Sequence, residues 1–231
     1  MRTRFISSWG VLALALSVPA TYAAVAHHKG INSALLAKAN AGDAEAQYQL
    51  GSAYNYGDKV RRDYAQALFW YRKGAEQGNA KSEFQLGGLY HFGHGVPQDD
   101  AQGFAWIMKA AEQQYAVAEN FISVCYAEGW GVPQDNAHQY FWLRRAAEDG
   151  DADSQYFLGW AYEDGLHGVY QDYTKAYFWL DIAASESNSH RGRREAVKRR
   201  NKAASHLTAA EQARVEEQVR EWIERHAANS Q

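Results

Sequence analysis

The sequence predicts an all-α protein, a right-handed α-solenoid of stacked antiparallel helix pairs, and three observations predict it. The first is a period. Tyr54, Tyr90, Tyr126 and Tyr162 stand 36 residues apart, and Trp70, Trp106, Trp142 and Trp179 follow at 36, 36 and 37. The second is that each copy has helical spacing inside it: Leu86 and Tyr90 are i, i+4 neighbours on one apolar face. The third is composition, with 15 Tyr and 8 Trp but only 3 Pro and 1 Cys in 231 residues. Such a mixture suits helices packed through recurring aromatic contacts better than a turn-rich β protein.

Each element follows from the period. Leu50-Gly51, Leu86-Gly87 and Leu158-Gly159 share one register, with Ile122-Ser123 in the third slot, and mark a first helix in every copy. Glycines and a proline, as in Gly93-His94-Gly95-Val96-Pro97, then break it. Asp63, Asp99, Asp135 and Asp172 close the loop, and the fourth copy needs one inserted residue around Leu166-His167. In the second copy a second helix is predicted from about Asp100 to Gln113, burying Ala101, Ala105, Trp106 and Ala110. One such unit cannot bury its apolar face alone, so units must stack. The repeats are placed at 42–78, 79–114, 115–150 and 151–186. A half-unit at 27–41 precedes them, since Ala39 and Gly42 lie 36 before Ala75 and Gly78. A helical cap at 187–231 follows. In it Thr208 and Glu211 form a capping box, and Val215, Val219, Trp222 and His226 share one face of the last helix.

Residues 1–26 read as a secretion signal. Arg2 and Arg4 precede an apolar run to about Val18, and small residues at 23–26 offer a cleavage site. The expected destination is the periplasm or the exterior, with no membrane-spanning segment left after cleavage; the alternative is an uncleaved anchor. No Cys near the cleavage region offers lipid attachment, and the single thiol, Cys125, allows no intramolecular disulfide. Hydrophobic residues at 46% and charged residues at 22% describe an ordinary globular chain, with a net charge of −3. That balance offers no footprint for nucleic acid.

The unit resembles the Sel1-like repeat, a relative of the tetratricopeptide repeat. Its pattern, A-x-x-x-L-G-x-x-Y-x-x-G-x-G-V-x-x-D-x-x-x-A-x-x-W-Y-x-K-A-A-E-x-G, appears here from Ala46 to Gly78 and again from Ser82, Ala118 and Ser154. Departures are Asp58-Lys59 in place of a glycine, Ile122-Ser123 in place of Leu-Gly, and Gln114 in place of the closing glycine. The resemblance implies an adaptor that brings other proteins together at a bacterial envelope. A cysteine-rich branch of the family is linked to β-lactam chemistry through paired Cys, and this chain has no such pairs.

No catalytic motif of hydrolases, P-loop proteins or zinc enzymes occurs, so no catalytic residue, metal or cofactor is expected. His91 and His94 straddle a helix end and read as loop surface rather than ligands. His27 and His28 follow the cleavage region, where a free N-terminus beside a His can chelate copper. Asp149, Asp151 and Asp153 alternate like a calcium loop, but Ser154 and Trp160 occupy the positions of its glycine and glutamate. A turn between units explains them better, and Cys125 reads as inert core.

Partner binding is expected on the first helices, which line the concave side of such solenoids. Their non-core stripe comprises Gln49, Ser52 and Tyr56, then Gln85, Gly88 and Phe92. It continues with Phe121, Val124 and Glu128, then Phe157, Trp160 and Asp164. Apolar side chains rimmed by Glu128 and Asp164 would suit a partner with apolar anchors and basic flanks, one or more envelope proteins. The same residues packing between adjacent first helices is the plainer explanation. An alternative function is a direct binder or enzyme acting on cell-wall fragments. Charge is uneven: residues 42–184 hold 20 acidic and 10 basic side chains, whereas Arg191, Arg193, Arg194, Lys198, Arg199, Arg200 and Lys202 crowd one short segment. That segment is a solvated helix face, a dock onto the acidic solenoid, or a site for anionic lipid headgroups.

Overall fold

The computed structural model describes residues 30–229 apart from 167 and 188, so the proposed secretion signal and His27-His28 lie outside the described residues. Eleven helices and no strands occur among the described residues. A short α1 (Ser33–Asn40) precedes four pairs: α2 (Ala44–Tyr56) with α3 (Tyr64–Glu76), α4 (Ala80–Phe92) with α5 (Asp100–Glu112), α6 (Ala116–Glu128) with α7 (Asn136–Glu148), and α8 (Ala152–Asp164) with α9 (Tyr173–Glu186). Two more helices, α10 (His190–Ala204) and α11 (Ala209–Asn229), complete the stack.

Local chemistry sets the helix ends. The loop aspartates Asp63, Asp99, Asp135 and Asp172 are the N-caps of α3, α5, α7 and α9, each accepting a backbone N–H from the first turn. First helices end on Gly57, Gly93, Gly129 and Gly165, all left-handed, which is why glycine recurs there. At the far end the Thr208–Glu211 box forms, with Thr208 N–H donating to Glu211 Oε2 at 2.8 Å and Glu211 N–H to Thr208 Oγ1 at 3.3 Å.

Pairing depends on a close approach. A methyl on Gly51 would stand 2.6 Å from the Tyr71 ring, and one on Gly159 would stand 2.7 Å from Leu180 Cγ. One on Gly87 would stand 2.7 Å from the backbone oxygen of Gly103. The α4–α5 contact therefore selects the buried face of α5, which is Gly103, Ile107, Ala110 and Ala111. This corrects the expected face. Ala101 and Ala105 are exposed, and Trp106 is half-buried, one step round the helix, with the Lys109 ammonium 3.9 Å over its ring.

A second repeating contact is polar. Gln47, Glu83, Glu119 and Gln155, each 36 apart, are all buried. Each faces the end of its own second helix. Gln77 donates to Gln47 at 2.7 Å, Gln113 donates to Glu83 at 2.6 Å, and Gln155 donates to Glu186 at 3.4 Å. Gln47 and Gln155 also donate to Ala39 O and Ala147 O of the preceding helix, tying one unit to the next. In the third copy the tie brings two carboxyls together, Glu119 and Asp149, with Arg145 Nη2 2.9 Å from Glu119 Oε1. Burial, then the Asp149 carboxyl, push the Glu119 carboxyl up to about 8 despite Arg145.

Gly87→Ala should lower stability in urea by about 1–3 kcal/mol because backbone cannot yield. The neighbouring Gly88→Ala, whose methyl would meet nothing within 4 Å, should be neutral or gain roughly 0.5 kcal/mol. Equal effects would contradict the packing described. As for pH, the folded state holds a proton on Glu119 that the unfolded chain releases, so stability falls as pH rises from the ordinary Glu range toward 8. Glu119→Gln, which installs the side chain present at Gln47 and Gln155, should stabilise by about 1–2 kcal/mol at pH 8.5 and much less at pH 5.5. Urea midpoints at the two pH values check this; a pH-independent difference would contradict it.

Candidate functional site

Exposed apolar side chains stand on both rows, Phe69 and Phe141 on second helices among them, but the two most exposed helical ones lie on first helices, and not where the sequence concentrates them. Tyr56 at the end of α2 is 67% exposed and Phe92 at the end of α4 is 60% exposed. Between them lies a groove of about 340 Å³ lined by Asn55, Tyr56, Phe84, Gly88, Phe92 and His94 among others. Leu50, Tyr54 and Leu86 face inward, and Tyr56 and Phe92 at the helix ends face outward. Gly88 keeps the floor open, since a methyl there would touch nothing. His94 stacks on Tyr64 with ring centroids 4.5 Å apart and braces the rim.

In the third and fourth copies most of the expected patch is packed. Phe121 is half-buried, edge-on to Phe84 at 6.1 Å and to His91 at 5.4 Å. Val124 is half-buried and Glu128 exposed. Trp160 is half-buried, its indole N–H donating to Asp164 Oδ2 at 2.5 Å and its ring lying 4.3 Å beneath the Arg199 guanidinium. Phe157 alone of these aromatics stays largely open, at 46%. Two aromatics offered as partner contacts, Phe121 and Trp160, thus pack between neighbouring helices.

The basic segment divides in two. Gly192, Ala196, Arg199 and Ala203 form the inner face of α10, against α8 and α9. Arg199 Nη1 lies 2.8 Å from Glu163 Oε2, its Nε donates to the Tyr156 hydroxyl at 3.1 Å, and Lys202 reaches Glu163 and Asp164. Arg200 Nη1 pairs with Asp181 at 2.8 Å. Glu163 is fully buried, so these cations are what allow its carboxylate to be there. Asp164 sits below its ordinary range: burial pushes it up, but the Trp160 bond, Lys202 and Arg199 outweigh that. Asp164, one of the two rim carboxylates expected to favour a basic partner, is therefore neutralised by the chain itself. Arg191, Arg193, Arg194 and Lys198 remain exposed.

The remaining polar candidates have structural roles. His91 is buried, not loop surface: Nδ1 lies 2.9 Å from Asp100 Oδ1, and the ring packs against Phe121 and Trp130. His94 turns away to Tyr64. Asp151 caps α8 through the Ser154 N–H and accepts from Asn120 at 2.7 Å, which binds the third unit to the fourth. Cys125 is buried, its thiol pushed up to about 12, mainly by burial. Among the described residues no three His, Cys, Asp or Glu gather as metal ligands, and no helix is long and apolar enough to cross a membrane.

Paired helices repeating at fixed register, with an exposed stripe on one row, define a helical-repeat scaffold. The Sel1 repeat model matches residues 44–79, 80–115, 114–151 and 152–188, and the chain belongs to the Sel1 repeat family. Among solved structures it is similar to c5321, a protective antigen present in uropathogenic Escherichia coli strains and displaying an SLR fold. Identity is 41% over 67% of this chain and 33% of that one, with a TM-score of 0.62. A Sel1 repeat protein from Oxalobacter formigenes shares 35% identity over 70% of this chain and 47% of that one, also at 0.62. The chain thus spans about a third and about half of these two relatives. A Sel1 repeat protein from Klebsiella pneumoniae, 23% identical over 80% of this chain and 98% of that one at a TM-score of 0.51, shares the fold. No curated protein matches the chain.

The ion-pair seam is testable by stability. Arg199→Ala should leave Glu163 buried with an incomplete partner set and cost about 3 kcal/mol in urea unfolding. Arg194→Ala, on the outer face, should stay within about 0.5 kcal/mol of the parent. Equal, small effects would contradict the docking of α10 on α8.

Proposed function

We propose that this chain is an exported scaffold that holds a partner protein of the bacterial envelope along its first-helix side, with no catalysis of its own. The observation that carries this reading is the pair Tyr56 and Phe92. They are large, apolar, mostly exposed and 36 residues apart, and they flank one groove. The fold does not require an aromatic at this position, since the equivalent residues of later copies are polar, Glu128 and Asp164. Exposed aromatics next to a preformed groove favour association, because little side-chain freedom is lost on binding. Similarity to a protein described as a protective antigen supports export, as does the apolar run that precedes residue 26.

Affinity capture from an envelope extract tests the reading with Tyr56→Ala/Phe92→Ala as the control. The parent chain should retain a defined protein, and the double variant should retain at least tenfold less while its circular dichroism and melting are unchanged. Undiminished retention by the variant would place binding elsewhere. Retention of purified muropeptides in place of a protein would favour the cell-wall alternative.

A further inference from the structure

We infer that the outer face of α10 and the groove beside it form a second docking surface, one that takes an acidic protein segment with an apolar anchor; this rests on the reading of the chain as a binding scaffold. Arg191, Arg194 and Lys198 follow i, i+3, i+7 and share one exposed face of α10. Their neighbours on the inner side, Arg199, Arg200 and Lys202, each hold a carboxylate of the solenoid. Among the described residues no carboxylate lies within ion-pair distance of Arg191, Arg194 or Lys198.

Their position is also the wrong one for the helix. The first turn of α10 has no acidic residue, yet His190, Arg191 and Arg193 stand there and Arg194 follows, at the end where the helix dipole is positive. Arg199, Arg200 and Lys202 are neutralised within the chain, and Arg193 reaches only the Ser187 carbonyl. A strongly positive, internally uncompensated face is relieved by an anion from outside.

The groove supplies the second half of the chemistry. About 350 Å³ of space opens between α8 and α10, lined by Tyr156, Phe157, Arg191 and Ala196 together with Asp153 and Glu195. Phe157, 46% exposed, provides an apolar wall the size of a large aliphatic or aromatic anchor. A protein segment fits this arrangement better than a membrane does. Arg191 lines a recess that a plane of headgroups cannot follow, whereas a chain can enter it with an apolar side chain and keep its carboxylates clear of Asp153 and Glu195. A peptide can instead place carboxylates against Arg191, Arg194 and Lys198 and an apolar side chain against Phe157.

Fluorescence anisotropy with the labelled peptide Asp-Glu-Asp-Leu-Phe-Asp-Glu-Asp tests this on the full chain. Binding should be saturable and weaken at least fivefold between 50 and 200 mM NaCl. It should fall at least tenfold in Arg191→Glu/Arg194→Glu/Lys198→Glu and several-fold in Phe157→Ala. It should be unchanged in Tyr56→Ala/Phe92→Ala, so loss of this site is distinguishable from loss of the groove between α2 and α4. A peptide with Lys at each acidic position should not bind. No binding of the acidic peptide, equal binding by the charge-reversed variant, or flotation with phosphatidylglycerol vesicles in the absence of peptide binding would each overturn the inference. Circular dichroism of the variants guards against misfolding; if the triple variant unfolds, single reversals at Arg194 and Lys198 carry the same comparison.

Discussion

The rest of the structure depends on one close approach, repeated down the stack, where a first helix lays a side-chain-free position against its own second helix. Gly51 meets the Tyr71 ring, Gly87 meets Gly103 and Ile107, and Gly159 meets Leu180. Interiors pack as densely as organic crystals, so a missing Cβ is filled by the partner and sets the crossing of the pair. The third copy shows the limit of the rule. Ser123 takes the glycine's place, and its hydroxyl is buried but donates to Asn120 O at 2.8 Å within its own helix. A small residue whose polar atom is satisfied locally does the same job.

With pair geometry set, the register of everything else follows. The buried polar position at 47, 83, 119 and 155 always faces the end of the second helix, and in the first and fourth copies it also reaches the unit before. Directional hydrogen bonds in a buried seam penalise slippage, because a shifted register would leave them unmade. The same logic governs α10. It lies against α8 and α9 after the last repeat, and Glu163 specifies where it lies, since a fully buried carboxylate requires Arg199 in one place. Exposed and buried surface are thus two outcomes of one constraint. Aromatics on the first-helix side are covered where a following helix carries a matching group, and open where none does.

Fold class, repeat number and helix pairing were legible in the sequence because they rest on periodicity, and the Thr208–Glu211 box because it rests on local backbone chemistry. The inner face of α5 was not. Period alone cannot separate Trp106 from Ile107, one residue on; the contact at Gly87 decides between them. The candidate site was half legible. Spacing identified the stripe, Phe92 included, but exposure along it depends on long-range cover. Trp160 and Asp164 are covered by Arg199 and Lys202, about forty residues further along the chain. The acidic excess of residues 42–184 beside the basic run from Arg191 to Lys202 was a signal of that contact. His91 misled because a His near a glycine turn resembles loop surface, whereas Asp100 and Phe121 enclose it.

The first-helix side is the face proposed to meet a partner, while the inner faces of the second helices and of α10 serve the stack. Hydrogen–deuterium exchange of the chain, alone and saturated with a protein captured from envelope extract, tests this most directly. New protection should appear in Ala44–Tyr56 and Ala80–Phe92 and in the loops that follow them. Protection gained only in Tyr64–Glu76, Asp100–Glu112 and Asn136–Glu148 would put the partner on the opposite row and contradict the account.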